Sequence, residues 1–210
     1  MKEWAASKRG GLLKQAWLSD FNDPFLTKLV EEAQKNNFNL QASAARLEET
    51  YAVARITGSS QSPSLGLNGN RQRVQASNDT ATLNLALSWE LDLWGKLKNR
   101  TEASEADART AVYNYKASQL SLAISVARFW FNATEAKLQL DLAKETEASF
   151  VKTTDVLKGR FQNGLSSALD YRLAKANLAN ARQSTQQRHA DFKVAVRSLE
   201  VLLGRYPKGE

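Results

Sequence analysis

The chain has 210 residues, of which 42% are hydrophobic, a formal net charge of +7 and no cysteine. The lack of cysteine excludes disulfides, thiolate metal sites and a cysteine nucleophile, and no stretch approaches the ~20 apolar residues of a membrane-spanning helix. The basic residues are interleaved with acidic ones, which favours a solvated surface over a nucleic-acid-binding patch. Residues 1–14 lack the apolar segment of a signal peptide, so we expect none in the sequence as given.

An N-terminal helix is predicted over residues 17–57. Asp23 is a suitable N-cap, and Pro24 is a suitable first helical residue. The run Asn36-Asn37-Phe38-Asn39 interrupts the helix, after which the apolar pattern resumes. The apolar face consists of Phe25, Leu26, Leu29, Val30 and Ala33 before the interruption, and of Leu40, Ala44, Leu47 and Tyr51 after it.

A β-hairpin is predicted over residues 63–94. Apolar and polar side chains alternate strictly from 81 to 93, which predicts one long strand. At ~3.3 Å per residue it would extend roughly 43 Å, whereas strands of globular proteins usually have about 3–10 residues. A tilted transmembrane strand needs ~9–11 residues and shows this alternation. A weaker partner strand is predicted over 64–71, followed by a polar connection over 74–80.

The alternation predicts two environments for this strand. We expect Leu83, Leu85, Leu87 and Trp89 to face lipid, and Asn84, Ser88 and Glu90 to face a lumen. The alternative is a ribbon that caps a soluble bundle, although it would leave the leucines uncovered.

A very long helix is predicted over 96–161, a tip over 162–168 and a return helix over 168–204. From 96 to 158 the chain has no glycine or proline. A helix of that length would extend roughly 95 Å, too far for a compact core. The predicted fold class is therefore mainly α: a long antiparallel helical hairpin of the coiled-coil or α-barrel type, with an N-terminal helix and a β-hairpin that would belong to a transmembrane β-barrel.

Each arm of the helical hairpin carries two apolar seams at coiled-coil spacing. In the long helix the first seam comprises Tyr113, Ala117, Leu120, Ile124, Ala127 and Phe131, and the second comprises Leu122, Val126, Phe129, Ala133, Ala136, Leu140 and Ala143. In the return helix the first comprises Leu169, Leu173 and Ala176, and the second comprises Leu178, Ala181, Thr185, Arg188, Phe192, Ala195, Leu199 and Leu202. Two seams suit a helix with neighbours on both sides, as in a wall or cylinder, and an ordinary antiparallel bundle is equally compatible. The polar stretch 182–188 slightly favours a wet lumen.

The tip must reverse the chain within a few residues. Gly164 is a natural C-cap because it tolerates positive φ, and Ser166 or Ser167 can cap the return helix. Leu165 is then left exposed, either as a contact residue or as an accident of the turn.

Four segments carry a resemblance to a known family. They are WLSDFNDPFL at 17–26 with NFNLQA at 37–42, WELDLWGK at 89–96, RFQNGLSSALD at 160–170 and LLGRYP at 202–207. In this order and spacing they resemble the N-terminal repeat of the outer-membrane efflux factors, the TolC-like family.

The resemblance implies a trimeric tunnel through outer membrane and periplasm, in which a twelve-stranded β-barrel continues into an α-helical barrel. Such a tunnel is the exit duct of a tripartite efflux pump or of type I secretion, and its partners are further copies, a periplasmic adaptor protein and an inner-membrane pump. The resemblance also implies adaptor docking at Arg160, Asn163, Gly164, Leu165 and Ser166. It places Asp170 in the network that closes the tunnel entrance.

Residues 1–210 correspond to one of the two tandem repeats of that family. Three copies would supply six strands, too few for an aqueous barrel. The chain is therefore the N-terminal half of a larger parent, assembles as six copies, or conducts nothing. The competing function is a soluble periplasmic helical-hairpin scaffold that does not conduct.

No catalytic site, metal or cofactor is predicted. His189 is the only histidine and has no acidic cluster beside it in the sequence, and Ser166-Ser167 lacks the flanking glycines of a nucleophile elbow. The transported substrate and the pump are not predicted, because a duct of this kind selects little.

Overall fold

The computed structural model describes residues 15–72 and 80–209, so most of the polar connection predicted over 74–80 lies outside the described residues. In chain order the elements are a 3₁₀-helix (Gln15–Phe21), α1 (Pro24–Asn36), α2 (Phe38–Ser59), β1 (Ser64–Gln72), β2 (Thr80–Ser88), α3 (Lys96–Gln162) and α4 (Ala168–Leu202). This is the mainly α architecture with one β-hairpin that the sequence predicts. The described residues fall into two compact units, 15–38 with 119–209 and Asn39–Ser118, and α3 contributes to both.

The predicted N-terminal helix is divided into the 3₁₀-helix, α1 and α2. The Asp23 carboxylate Oδ1 accepts hydrogen bonds from the backbone N–H groups of Phe25 (2.9 Å) and Leu26 (3.0 Å), so Asp23 is the N-cap of α1. Its Oδ2 accepts a hydrogen bond from the Trp130 indole N–H (2.9 Å), which ties the start of α1 to α3. Leu26, Leu29, Val30 and Ala33 are buried as expected, whereas Phe25 is exposed and packs its ring against Trp130.

The break between α1 and α2 is the place where the end of α4 docks. Asn37 leaves helical geometry (φ −69°, ψ 120°), and its side-chain Nδ2 donates a hydrogen bond to the Leu202 carbonyl (2.9 Å). Gly204 approaches so closely that a Cβ there would lie 2.5 Å from the Asn36 carbonyl oxygen. Its φ of 73° also favours glycine. Arg205 then pairs with Glu32 of α1.

The two strands form an antiparallel ribbon that runs from the pair Ser64↔Ser88 to the pair Gln72↔Thr80. The prediction of a strand up to residue 93 is wrong, because β2 ends at Ser88. The next residue on the partner strand would be Pro63, which has no N–H to donate to a further pair.

The connection from β2 to α3 is shaped by local hydrogen bonding. The Asp92 carboxylate accepts a hydrogen bond from the backbone N–H of Lys98 (2.8 Å), and Gly95 has a φ of 70°. These contacts turn the chain into the first turn of α3. Trp89 and Glu90 therefore lie in this connection and not in the strand.

Helices α3 and α4 run antiparallel and touch along their length within the larger unit. The Thr154 hydroxyl lies 3.3 Å from the Ala174 carbonyl oxygen, and the Thr185 hydroxyl lies 3.3 Å from the Ala143 carbonyl oxygen. Residues later in α3 therefore contact residues earlier in α4, as an antiparallel arrangement requires.

Each of these helices buries its second seam and exposes most of its first. The buried residues include Leu122, Val126, Ala133 and Leu140 of α3, and Leu178, Ala181, Thr185 and Leu199 of α4. Arg188 departs from the predicted seam, since it is exposed and pairs with Asp191 (3.7 Å). Eight of the exposed apolar residues, here called the outer stripes, are Ile124, Phe131, Leu138 and Leu142 on α3, and Leu169, Leu173, Val194 and Val201 on α4. The hairpin alone therefore covers only one side of each helix.

Candidate functional site

The end of α3 at the tip is fixed by backbone hydrogen bonds. The N–H of Leu165 donates to the Arg160 carbonyl (2.8 Å), and the N–H of Gly164 donates to the Phe161 carbonyl (3.0 Å). This is the Schellman arrangement, which needs a left-handed residue just past the helix. Gly164 supplies it with a φ of 72°, as the glycine C-cap prediction requires.

The first turn of α4 is closed by a capping box between Ser167 and Asp170. The N–H of Asp170 donates to Ser167 Oγ (3.1 Å). In return Asp170 Oδ2 accepts hydrogen bonds from the hydroxyl (2.7 Å) and the N–H (3.2 Å) of Ser167, and from the Ser166 hydroxyl (3.2 Å). These bonds, above all the one from the Ser167 hydroxyl, hold the pKa of Asp170 below its usual value. The sequence offered Ser166 and Ser167 as possible N-caps of the return helix, and Ser167 is the one that caps α4.

Among the predicted docking residues, two side chains have no partner in the part of the chain that the structure describes. Leu165 is 77% exposed, and Arg160 is exposed with no ion pair there. The other predicted tip residues serve the turn itself, since the Asn163 amide donates to the Gly159 carbonyl (2.8 Å) and Ser166 is engaged with Asp170. Of the predicted docking residues, Leu165 and Arg160 are therefore the two whose side chains are not used by the turn itself.

An aromatic pair that sequence reasoning missed braces the tip. The rings of Phe161 and Tyr171 stack with centroids 5.8 Å apart and planes 13° apart. The sequence contains one aromatic residue on each side of the turn, near the adjoining ends of the two predicted helices, and this pattern could have predicted the contact. The stacking joins the last turn of α3 to the first turn of α4.

The ribbon has one apolar and one polar face, because opposite residues of an antiparallel pair point to the same side. The apolar face comprises Leu65, Leu67, Leu83, Leu85 and Leu87, with Arg71 opposite Ala81 near its Gln72↔Thr80 end, and the polar face comprises Ser64, Asn68, Asn70, Thr82, Asn84 and Ser88. All five leucines are exposed. Sequence reasoning did not single out Leu65 and Leu67, although their spacing in the weaker strand follows the same period of two.

Trp89 and Glu90 belong to neither face of the ribbon. The Trp89 indole N–H donates a hydrogen bond to the Gln61 carbonyl (3.2 Å). The Glu90 carboxylate lies 3.8 Å from the Lys96 ammonium group. The prediction that Trp89 faces lipid and Glu90 faces a lumen assumed that both lie in the strand. Because β2 ends at Ser88, the alternation does not apply to them.

Comparison with known proteins identifies the family. The sequence model described as outer membrane efflux protein matches residues 29–205, which include the ribbon and the tip. The chain belongs to the outer membrane efflux protein family. It is 30% identical over 204 residues to the toluene efflux pump outer membrane protein TtgF of Pseudomonas putida, covering 90% of this chain and 42% of TtgF. It is 27% identical over 198 residues to the cation efflux system protein CusC of Escherichia coli, covering 91% of this chain and 43% of CusC.

The fold of this outer membrane efflux protein is also that of solved channels. The CmeC outer membrane channel of Campylobacter jejuni matches with a TM-score of 0.80 at 25% identity, covering 90% of this chain and 43% of CmeC. The chain thus spans less than half the length of the relatives it matches. Likeness to channel structures favours a helical wall over an isolated bundle as the setting of the two seams.

Metal and membrane-helix features are absent from the described ranges. Across 15–72 and 80–209, no group of histidine, aspartate and glutamate side chains is arranged to hold a metal ion. No helix in the same ranges combines the length and the apolar run needed to cross a membrane. His189 is exposed on α4.

Proposed function

We propose that this chain forms the first half of an outer-membrane exit duct, a passive channel of a tripartite efflux or type I secretion system. The main support for this proposal is that the ribbon exposes an apolar face and has a polar face opposite to it. A two-faced ribbon of this kind suits a barrel wall with lipid on one side and water on the other. Membership of the efflux family supports the same role.

In this duct Leu83, Leu85 and Leu87 face lipid, and Asn84 and Ser88 face the lumen. Both outer edges of the ribbon carry backbone N–H and C=O groups that need partners, because no water is available to them inside a bilayer. Strands from a second half and from further copies supply those partners, as in a trimer of full-length proteins.

The helical hairpin forms part of the periplasmic wall of the duct. Its outer stripes lie on sides of α3 and α4 that their mutual contact leaves bare. Apolar stripes at coiled-coil spacing pack best against other helices. Neighbouring hairpins of the assembled channel therefore cover them.

The tip is the docking site for a periplasmic adaptor protein, which connects the duct to an inner-membrane pump. Leu165 and Arg160 make the contact, while Asn163, Gly164 and Ser166 hold the turn that presents them. At Asp170, Oδ2 takes the hydrogen bonds of the capping box, so Oδ1 is the atom that contacts the second half when the entrance closes. TtgF is named for toluene efflux and CusC for cation efflux. Relatives named for such different substrates are consistent with a duct in which the pump, and not the channel, selects the substrate.

The test is Leu165→Asp in a polypeptide that carries this chain at the full length of its relatives, with Gln162→Asp as the matched control. Both substitutions place a carboxylate on an exposed position of the tip, but only the first removes the apolar contact. We expect both variants at normal outer-membrane abundance, and loss of adaptor cross-linking and efflux only in Leu165→Asp. Wild-type efflux in that variant would contradict the docking proposal. Absence of efflux from the unsubstituted polypeptide would contradict the duct.

A further inference from the structure

One charged side chain lies on the leucine face of the ribbon. Arg71 is opposite Ala81 in the antiparallel register, one same-face step beyond the pair Gly69↔Leu83, so it points to the same side as the leucines. Its side chain is exposed. The proposed function places this face against lipid, and a guanidinium keeps its charge in any protein environment. An arginine in this place therefore needs a polar environment at the edge of the hydrocarbon.

Arg71 lies close to the end of the ribbon that is remote from the connection to α3. The pair Leu67↔Leu85, near the middle of the ribbon, lies four residues away along β1. At ~3.3 Å per residue this is about 13 Å, or about 9 Å of height in a strand tilted by ~45°. Half of the lipid-facing band of an outer-membrane barrel is about 12 Å tall. Because an arginine side chain can extend its charged end toward water, the guanidinium reaches the headgroups.

The neighbours of Arg71 on this face are small. Ala81 lies opposite, and Gly69 lies two residues earlier on the same strand. A Cβ built at Gly69 would meet a single heavy atom of the described chain within 4 Å, Leu83 Cδ1 at 3.6 Å. Small residues on two sides leave space beside the Arg71 side chain for a lipid headgroup.

A guanidinium in this position is suited to bind a phosphate group. Its planar N–H donors match two phosphate oxygens at once, through charge-assisted hydrogen bonds. Arg71 also makes an interaction within the chain, but a guanidinium has five N–H donors and can bind a phosphate in addition. Acyl chains on the leucine face hold a lipid phosphate at this height, whereas a free phosphate has no such anchor. A headgroup without a cation of its own is favoured, because its negative charge is not offset.

We propose that Arg71 binds the phosphate of an anionic lipid in the leaflet at the end of the ribbon remote from α3. The acyl chains of that lipid lie along Leu67, Leu83 and Leu85. The inference rests on the proposed function, because it requires the leucine face to lie in lipid. It adds a class of ligand and the residue that selects it.

The lipid composition beside Arg71 tests the assignment. The chain has no cysteine, so Leu83→Cys accepts one fluorescent label on the leucine face of the complete chain and leaves both small neighbours of Arg71 in place. The labelled chain is reconstituted into phosphatidylcholine vesicles that contain a minor lipid with a nitroxide on the acyl chain near the headgroup. This minor lipid is either phosphatidic acid or phosphatidylcholine with the same acyl chains. We expect phosphatidic acid to be enriched about fivefold at the label, the ratio expected for one basic residue at a membrane surface, and to quench it more at equal content.

Two substitutions that remove the same charge separate Arg71 from the net charge of the chain. Arg71→Gln should abolish the excess quenching by phosphatidic acid. Arg172→Gln, at an exposed position of α4, should leave the excess unchanged. The site is overturned, while the duct proposal stands, if both lipids quench equally in the chain with Arg71 intact. The same holds if the excess survives in Arg71→Gln or disappears in Arg172→Gln.

Two further outcomes concern the source of the phosphate and the membrane itself. Excess inorganic phosphate, added at constant ionic strength, should leave the difference between the two lipids unchanged. Loss of the difference would show that the site takes free phosphate and would overturn the lipid as its ligand. If neither lipid quenches the label at 83, the leucine face is not in the bilayer, so the proposed function fails and the inference fails with it. Circular dichroism of each variant verifies that the helices are intact.

Discussion

The ribbon and the helical hairpin both carry apolar side chains at regular spacing, yet only the hairpin buries any of them. Every residue of β1 is exposed, as are the leucines of β2, whereas α3 and α4 bury a seam between them. The hairpin therefore gains stability from its own contacts. An isolated two-stranded ribbon is at best marginally stable in water, so this one depends on surroundings outside the chain. Regular apolar spacing therefore corresponds to a buried core in the helical hairpin and to a surface that needs an external partner in the ribbon.

If the two regions differ in this way, the buried seam contributes more to the free energy of unfolding than the ribbon does. Leu140 is 2% exposed, and Leu138 two residues earlier is 65% exposed. Leu140→Ala should lower the free energy of unfolding by about 2–5 kcal/mol, because it leaves a cavity. Leu138→Ala and Leu85→Ala, which leave no cavity, should each change it by about 0.5 kcal/mol or less. Denaturant unfolding of the chain followed by circular dichroism measures all three, and equal losses at 140 and 138 would contradict the buried seam.

In a membrane we expect lipid to cover the apolar face of the ribbon. In an assembled barrel Leu85→Arg should cost about 2–4 kcal/mol near the middle of the bilayer, while Asn84→Arg on the lumen side should be mild. The free energy of folding into lipid vesicles measures the difference. Spin labels at 83, 85 and 87 should also be less accessible to water than labels at 84 and 86. Equal accessibility on the two faces would remove lipid as the partner.

The local features of both regions could be predicted from the sequence. Period-two spacing identifies the leucine face of β2, and heptad spacing identifies the seams of α3 and α4. Gly164 follows from the requirement for a positive φ at the end of a helix. Each of these signals depends only on neighbouring residues.

Features that depend on distant residues were not predictable in this way. The alternation continues through Leu93, so the end of the strand at Ser88 does not follow from the pattern of β2 itself. The residue opposite the next position is Pro63, which lacks an N–H donor. The break at Asn37 shows in the sequence, but its bond to the Leu202 carbonyl, 165 residues away, does not. For the same reason the contact between Asp23 and Trp130 and the stacking of Phe161 on Tyr171 appear only in the folded chain.

The tip is exposed like the ribbon but is held by its own hydrogen bonds. The pKa of Asp170 is lowered in the folded chain, so its contribution to stability is fully present above the unfolded value near 3.8 and is lost as the pH falls through the lower folded value. Ser167→Ala removes the largest cause of the shift, so the pKa of Asp170 should rise toward 3.8. NMR titration of the carboxyl group measures it. An unchanged pKa in Ser167→Ala would contradict the capping box as its cause, and Ser184→Ala, on the exposed surface of α4, is the control.

The smallest expected effects separate backbone geometry from packing at the same tip. Gly159 lies inside α3 and Gly164 just past its end, and no heavy atom of the described chain lies within 4 Å of an added Cβ at either position. An added methyl group therefore has room at both positions, and the two differ only in backbone conformation. Gly159→Ala should stabilise the chain by about 0.5–1 kcal/mol, because glycine is unfavourable within a helix. Gly164→Ala should destabilise it by about 1 kcal/mol, because alanine resists the φ of 72° found there. Gly164→Asn should cost less than Gly164→Ala, since asparagine visits the left-handed region more readily. Thermal unfolding of the three variants measures the differences, and a shift of the same sign at 159 and 164 would show that the turn does not depend on the left-handed backbone of Gly164.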